Sequence, residues 1–372
     1  MKILFVNNFR GRGGGEEFLR DLLPGLVEKG VQVGLICRPD TPLAGMFQHA
    51  GVETHPISRA GLDGLTSVLK TAKVLRNGGY DIIAIQRGHD IVQSWTGAVL
   101  SGMRPALMYI AQVPEFARSR FLLGRMQKIV TISRYIRDRI LDFYPAVAPA
   151  VSIIYYGIDI EQFQPSPEAG ARFRKRFGLH SEERMVGTVG DLWKNQVEFL
   201  DALVLINKEL PGARFALAGS DADTEFVRAF KRKAEELGLT DALIWTGRLS
   251  KGEMKDFYAA IDAAVSTHRK EGFGIWVLEA LAMGTPVISV NEGGIRDSLE
   301  GCRAGILVDG GAREMAGAVI RVLTNDAERQ EMSSAGRQWV TDKFSRKRMV
   351  EEYYRFFETL NRDTAVDANH GG

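Results

Sequence analysis

Cysteine is almost missing from this chain: Cys37 and Cys302 are the only two in 372 residues. Two thiols so far apart exclude a disulfide framework and a cysteine metal cage, and both are expected to stay reduced. Long hydrophobic runs are missing as well. No stretch approaches the roughly 18 consecutive apolar residues of a membrane span. The opening MKILFVNN turns polar after one short apolar run, as a first strand does and a signal peptide does not, so a cytoplasmic protein is expected. Low-complexity tracts are absent, as is any internal repeat beyond two similar halves. Charge of one sign is scarce overall, with 48 Lys+Arg against 46 Asp+Glu. It is unevenly divided: residues 1–165 carry 19 basic and 14 acidic side chains, a net of +5, which leaves 29 against 32, or −3, for the rest. With 45% hydrophobic and 25% charged residues, neither disorder nor a fibrous class is favoured.

The length allows two domains of ordinary size, each with its own core. Short β-branched or apolar runs alternate with longer amphipathic stretches, at Lys2–Val6, Val31–Ile36, Asp81–Ile85, Ala106–Ile110, Lys128–Ile132 and Val151–Ile154. A second series comes at Met185–Val189, Arg214–Ala218, Leu243–Thr246, Asp262–Ser266, Pro286–Val290 and Gly305–Val308. That alternation predicts βα units and parallel sheets, hence an α/β protein of two Rossmann-like domains. The segment Gln162–Ala171, with Pro165 and Pro167, reads as the linker. The domains are expected at residues 1–165 and 166–344, with a polar, frayed tail at 361–372.

Residues 271–297 read EGFGIWVLEALAMGTPVISVNEGGIRD. Within them Glu279 interrupts the apolar run Ile275–Met283, where a carboxylate is costly to bury without hydrogen-bond donors. The surrounding sequence does not offer them, and a ligand would. Gly272, Phe273 and Gly274 fall where the helix should begin, and backbone N–H groups at a helix start, approached closely past glycine, suit a phosphate. Glu271 and Glu279 are then at most about 12 Å apart along a helix rising 1.5 Å per residue, a span that fits a nucleotide-sugar. The bland alternative has Glu271 complementing the helix end and Glu279 bonded to a neighbouring element.

The E-G-F-G-x4-E spacing, continued by A-x-A-M-G-T-P-V-I-S and G-G-I-R-D, resembles the signature of glycosyltransferase family 4. The likeness runs the length of the chain, through the Gly-rich turn after the first strand, Y-G-I-D-x-x-x-F-x-P at Tyr156–Pro165, Lys194, and a last helix with Tyr353 and Tyr354. The resemblance implies the GT-B architecture, two Rossmann-like domains facing each other across a deep cleft. It also implies that the final helix, about 345–360, completes the first domain. The activity it implies is retaining transfer of a hexose-type sugar from a nucleotide-diphosphate-sugar to an acceptor hydroxyl. A cell-envelope lipopolysaccharide or polysaccharide is the expected setting. No metal and no other cofactor is expected. Glu279 is then the ribose ligand and Glu271 the sugar ligand, while Gly272, Phe273, Gly274 and Lys194 stabilise the departing diphosphate.

Two departures from the family pattern matter. Asp191 succeeds Gly190 where relatives carry Arg, so Arg248, or Arg269 and Lys270, is the candidate second cation. Gln112 stands where many relatives place a His and cannot act as a base, so either His89 takes part or proton transfer uses no side chain. Gly14 and Gly15, with Gly11 and Gly13, lie in GRGGGEE between the first strand and a helix near Glu16. This run lacks the G-x-G-x-x-G spacing, and Cys37-Arg38 rather than an acid ends the second strand, which disfavours an NAD enzyme. The glycines serve either a tight turn or an active role at the ligand. Asp221 and Asp223 have metal-motif spacing but read as a helix cap. From Phe116 to Arg139 basic and apolar residues interleave; part of the stretch is the strand at 128–132, and the rest reads either as a helix packed on its apolar face or as a basic amphipathic segment for an anionic membrane, where lipid-linked acceptors reside. No nucleic-acid partner is expected. The competing functions are a silent paralogue that binds a glycan or partner, and a sugar-nucleotide epimerase or phosphorylase on the same fold.

Overall fold

The computed structural model describes every residue except 11, 12, 48, 58–63, 192–195, 221, 223, 371 and 372. Lys194, Gly11, Asp221 and Asp223 therefore lie outside the described residues. Two compact units are formed, one from Met1–Gly157 with Arg346–Gly372 and one from Ile158–Ser345. The division falls ahead of the Gln162–Ala171 segment expected as the linker.

In the first unit seven parallel strands are ordered β3-β2-β1-β4-β5-β6-β7. They are β1 (Lys2–Asn7), β2 (Gln32–Cys37), β3 (Val52–Pro56), β4 (Ile82–Ile85), β5 (Ala106–Ala111), β6 (Lys128–Thr131) and β7 (Val151–Ile153). The central strands β4 and β5 are buried at every residue. That is the burial of a parallel sheet covered on both faces, and it explains their unbroken apolar sequences. One strand was not expected. β3 is an edge strand reading VETHP, and only its Val52 is buried, so it has neither apolar run nor clean alternation.

In the second unit six parallel strands are ordered β10-β9-β8-β11-β12-β13. These are β8 (Met185–Val189), β9 (Arg214–Ala218), β10 (Leu243–Gly247), β11 (Ala263–Ser266), β12 (Val287–Val290) and β13 (Gly305–Val308). The order repeats that of the first six strands, so each unit is a doubly wound Rossmann-like sheet.

Five helices bear on the functional residues. In the first unit α1 (Gly14–Glu28) and α2 (Asp90–Ser101) leave the ends of β1 and β4. In the second, α3 (Lys251–Ala260) precedes β11 and α4 (Ile275–Ala282) succeeds it. The last helix, α5 (Arg346–His370), belongs to the first unit and continues past the point where a frayed tail was expected. Its apolar face packs on α1 and β1: Tyr353 meets Phe18 at 5.4 Å and Phe357 meets Phe5 at 5.9 Å between ring centroids. Gly25 makes this approach feasible, since a Cβ there would lie 2.6 Å from a Val350 methyl. Arg346 donates to the Asp21 carbonyl at 2.8 Å, and Tyr156 donates to the Asp21 carboxylate at 2.8 Å. Among the described residues no helix is long and apolar enough to cross a membrane.

Candidate functional site

Ligands of doubly wound sheets bind beyond the carboxyl ends of the strands, where the winding direction reverses. In the first unit that point lies between β1 and β4, in the second between β8 and β11. Among the described residues, Gly14, Gly15, His89 and Gln112 lie at the first of these places, and Asp191 and Glu271 at the second.

In the second unit, β11 ends at Ser266 and the chain runs through His268 and Glu271 into α4. Gly274 caps α4 in the left-handed region at φ +83°. The Gly272 N–H donates to the Glu271 Oε1 at 3.1 Å, and His268 Nδ1 is 3.3 Å from Oε2. Glu271 thus sits in the loop before α4, and both its oxygens are engaged. Its backbone is held as well. The Gly294 N–H donates to the Glu271 carbonyl at 2.8 Å. The preceding Gly293, at φ +69°, passes so close that a Cβ on it would lie 2.9 Å from the Arg269 and Glu271 carbonyl oxygens. This gives the G-G of G-G-I-R-D a physical reason. Phe273 is 1% exposed and packs on Phe344 at 5.7 Å, so only its backbone can face a ligand.

Glu279 corrects an expectation. The chain does supply a donor for its carboxylate: the Tyr258 hydroxyl, from α3, donates to Oε2 at 3.0 Å. Burial first, and the Glu279 charge second, hold the Tyr258 hydroxyl well above the usual phenol range, so it remains a donor. Nothing in the sequence around Tyr258 marks it, because its partner is brought up by packing alone.

Asp191, beyond β8, is likewise used. Its Oδ1 accepts the Ser220 N–H at 2.9 Å and its Oδ2 accepts Arg248 Nη2 at 3.2 Å, so the acid draws Arg248 to the end of β8. Arg269 is occupied by Glu292 and by Glu198 at 3.4 Å. Of the candidates for a second phosphate-binding cation, Arg248 is the one held beside β8.

In the first unit an amide network spans the strand ends. Asn7 donates to Gln86 at 2.8 Å, and Gln86 donates to Gln112 at 3.1 Å and to the Gly15 carbonyl at 3.4 Å. Gln112 is therefore a structural partner of the β4 end. Gly13 is extended, and neither Gly14 nor Gly15 has a positive φ, so a turn needing left-handed glycine does not explain these three. Close approach does at Gly15, where a Cβ would lie 3.3 Å from the Gln112 amide oxygen and 3.8 Å from the Arg87 guanidinium. Arg87 itself stacks on Phe9 at 3.8 Å. Glu16 is 6% exposed, and neither of its side-chain oxygens reaches a hydrogen-bond partner among the described residues. Burial raises its carboxyl above the ordinary range, against the nearby amides and the Arg87 charge. His89 caps α2, half exposed, with Nε2 3.5 Å from the fully buried Asp90, which accepts the Asn8 backbone and side-chain N–H groups at 3.1 Å.

The Phe116–Arg139 stretch is not one amphipathic helix. It comprises the single turn Arg120–Leu123, β6 and the start of the helix Arg134–Phe143. Its exposed part is aromatic and basic: Phe121 is 54% exposed, and the Arg125 guanidinium lies 4.7 Å from its ring and 5.5 Å from that of Trp95.

Residues 12–162 match the family model described as Glycosyltransferase Family 4, and residues 171–339 match the one described as Glycosyl transferases group 1. A GDP-mannose-dependent alpha-(1-6)-phosphatidylinositol monomannoside mannosyltransferase of Mycobacterium tuberculosis is 28% identical, over 91% of this chain and 93% of its own. A D-inositol 3-phosphate glycosyltransferase of Thermobispora bispora is 26% identical, over 96% of this chain and 93% of its own. Among solved structures, a glycosyltransferase from Rickettsia africae superposes with a TM-score of 0.84 at 17% identity, covering 96% of this chain and 98% of that one. Anabaena HepE in complex with UDP and glucose superposes with a TM-score of 0.81 at 20% identity, covering 96% and 100%.

Proposed function

The chain belongs to glycosyltransferase family 4, with two Rossmann-like units of the kind found in GT-B enzymes, and on that premise we propose a retaining hexosyltransferase that works without a metal ion. It is a glycosyltransferase that uses a nucleotide-sugar. The observation that carries the finer reading is the pair of glutamates flanking the α4 start, each oriented by a partner outside the apolar run.

In this reading the donor occupies the crevice of the second unit. Glu279 accepts hydrogen bonds from the ribose hydroxyls and Glu271 from the sugar hydroxyls. Of the three backbone amides expected to meet the diphosphate, that of Gly272 is given to Glu271, and those of Phe273 and Gly274 lie at the positive end of α4, where negative charge on the departing diphosphate is favoured. Lys194 and Arg248 are the proposed cationic donors to the same group, and Arg248, held by Asp191 at the end of β8, is oriented before the charge develops, which favours the transition state over the ground state. Gly14, Gly15 and His89, at the ends of β1 and β4, are the substrate-binding candidates of the first unit. The acceptor hydroxyl attacks from the face the diphosphate leaves, its proton passing to a donor phosphate oxygen, so no nucleophilic side chain is needed.

The acceptor we propose is a glycan or lipid-linked hydroxyl in cell-envelope synthesis. The names of the relatives put phosphate-bearing inositols first among acceptors to try. An anionic membrane surface is the proposed partner of the exposed basic residues Arg118, Arg120 and Arg125.

A thermal-shift series with UDP, GDP, ADP and their sugar conjugates tests the donor assignment, since a ligand that binds only the native state raises its stability. One nucleotide family should raise Tm in the wild type and not in Glu279→Ala. No shift with any of them sinks the donor reading. Turnover without acceptor would instead indicate an epimerase, and dependence on inorganic phosphate a phosphorylase. Unimpaired turnover in excess EDTA is expected, and loss of activity there would overturn metal independence.

A further inference from the structure

We propose that Tyr258 is a positioning residue that aims the Glu279 carboxylate, and that this makes the donor crevice selective for ribonucleotides over 2′-deoxynucleotides. The proposal rests on the reading of Glu279 as the ribose ligand and adds the device that gives that ligand its geometry.

Tyr258 is anchored before any ligand arrives. It lies in the last turn of α3, a helix started by a capping box between Ser250 and Glu253. Its side chain is 0% exposed, with the ring set edge-on to Phe257 at 5.6 Å. Its carbonyl accepts the Thr285 hydroxyl at 2.8 Å, which ties the end of α3 to the turn after α4. A Tyr so enclosed has one accessible position for its hydroxyl, and that hydroxyl donates to Glu279 Oε2 at 3.0 Å.

Glu279, by contrast, is only half-buried among buried neighbours on α4. A glutamate has three side-chain torsions, and the terminal one is broad. Without a fixed donor, ordering that carboxylate against two hydroxyls of a ribose would cost rotamer entropy on binding. The Tyr258 bond contributes to removing that cost beforehand. It does not saturate the group, because an ionised carboxylate offers about four acceptor positions. What it selects is the rotation of the carboxylate plane, and hence where the remaining lone pairs point. A cis-diol can use that direction with two donors, whereas a 2′-deoxyribose offers one. A site built to hydrogen-bond a hydroxyl rejects the analogue lacking it far more strongly than a merely apolar pocket would.

Affinities of UDP, GDP and their 2′-deoxy counterparts are measured by calorimetry on the wild type, Tyr258→Phe and Glu279→Ala, with melting curves as the check on folding. Tyr258→Phe keeps the ring that packs on Phe257 and deletes only the hydroxyl. Wild type should prefer the ribo form of its nucleotide by about tenfold or more, as expected for a hydrogen bond to a charged group. Tyr258→Phe should bind the deoxy form as the wild type does and keep a preference of roughly threefold or less. An unchanged preference in Tyr258→Phe overturns the positioning role. So does an equal weakening of both forms, which is the mark of general loosening. If wild type shows no preference, the ribose reading of Glu279 itself fails, and the two failures are told apart by that first measurement. Tyr258→Met serves as a second hydroxyl-free variant should the Phe form not fold.

Discussion

His268 Nδ1 lies 3.3 Å from Oε2 of Glu271, while the other oxygen of the same carboxylate takes the N–H of Gly272 at 3.1 Å. The two side chains are 14% and 16% exposed. The imidazole is oriented in turn by its backbone, whose N–H donates to the Ser266 hydroxyl at 3.1 Å. Glu271 therefore meets a ligand with its carboxylate plane already set.

Replacing His268 by Ala should lower kcat/KM by about tenfold, equivalent to roughly 1.4 kcal/mol of transition-state stabilisation. Asn places an amide nitrogen near the Nδ1 position and should recover most of the loss, whereas Gln should not. Steady-state kinetics at saturating acceptor distinguishes these cases, and equal loss in Ala and Asn would refute the orienting role.

Gly293 controls the backbone of Glu271 from the next loop. An L-residue in the left-handed region costs about 1–2 kcal/mol, and an alanine Cβ at this position would also stand 2.9 Å from two carbonyl oxygens. Gly293→Ala should lower Tm by several degrees and depress activity further than its stability loss explains, since the Gly294 to Glu271 hydrogen bond is displaced. A variant with wild-type Tm and kcat contradicts this account.

Glu16 makes stability depend on pH. Burial raises its folded-state carboxyl above the ordinary range, so the folded protein holds that proton more tightly than the unfolded chain. Its contribution is complete below the unfolded value and is lost as pH rises through the folded one. Glu16→Gln cannot ionise. Its urea midpoint relative to wild type should therefore be higher at about pH 8 than at about pH 5, and a difference that does not change with pH would refute the burial argument.

The exposed basic residues near Phe121 have a test separate from catalysis. Arg118, Arg120 and Arg125 have no part in the proposed donor site, and each Lys or Arg near an anionic bilayer contributes about 1 kcal/mol of attraction. Changing all three to Ser should reduce co-sedimentation with anionic liposomes by roughly 100-fold in partition coefficient, on the order of three such contributions. Activity on a water-soluble acceptor should persist. Sedimentation unchanged by the substitutions removes the membrane from the proposal.

The sequence by itself determined the two parallel sheets and the motif around α4. Strands buried on both faces are apolar along their whole length, so β4 and β5 announce themselves, and the glycines of E-G-F-G and G-G-I-R-D mark where backbones need room. β3 escaped because an edge strand is half solvated and carries no such pattern. Only tertiary structure decided who orients whom. Tyr258 reaches Glu279 across 21 residues, Arg248 reaches Asp191 across 57, and Gln86 joins Asn7 across 79. Such pairs satisfy buried or half-buried polar groups, and any element that brings a donor within about 3 Å will serve. A local sequence states the need for a partner. Which residue fills it depends on the strand order that sets distant chain segments side by side.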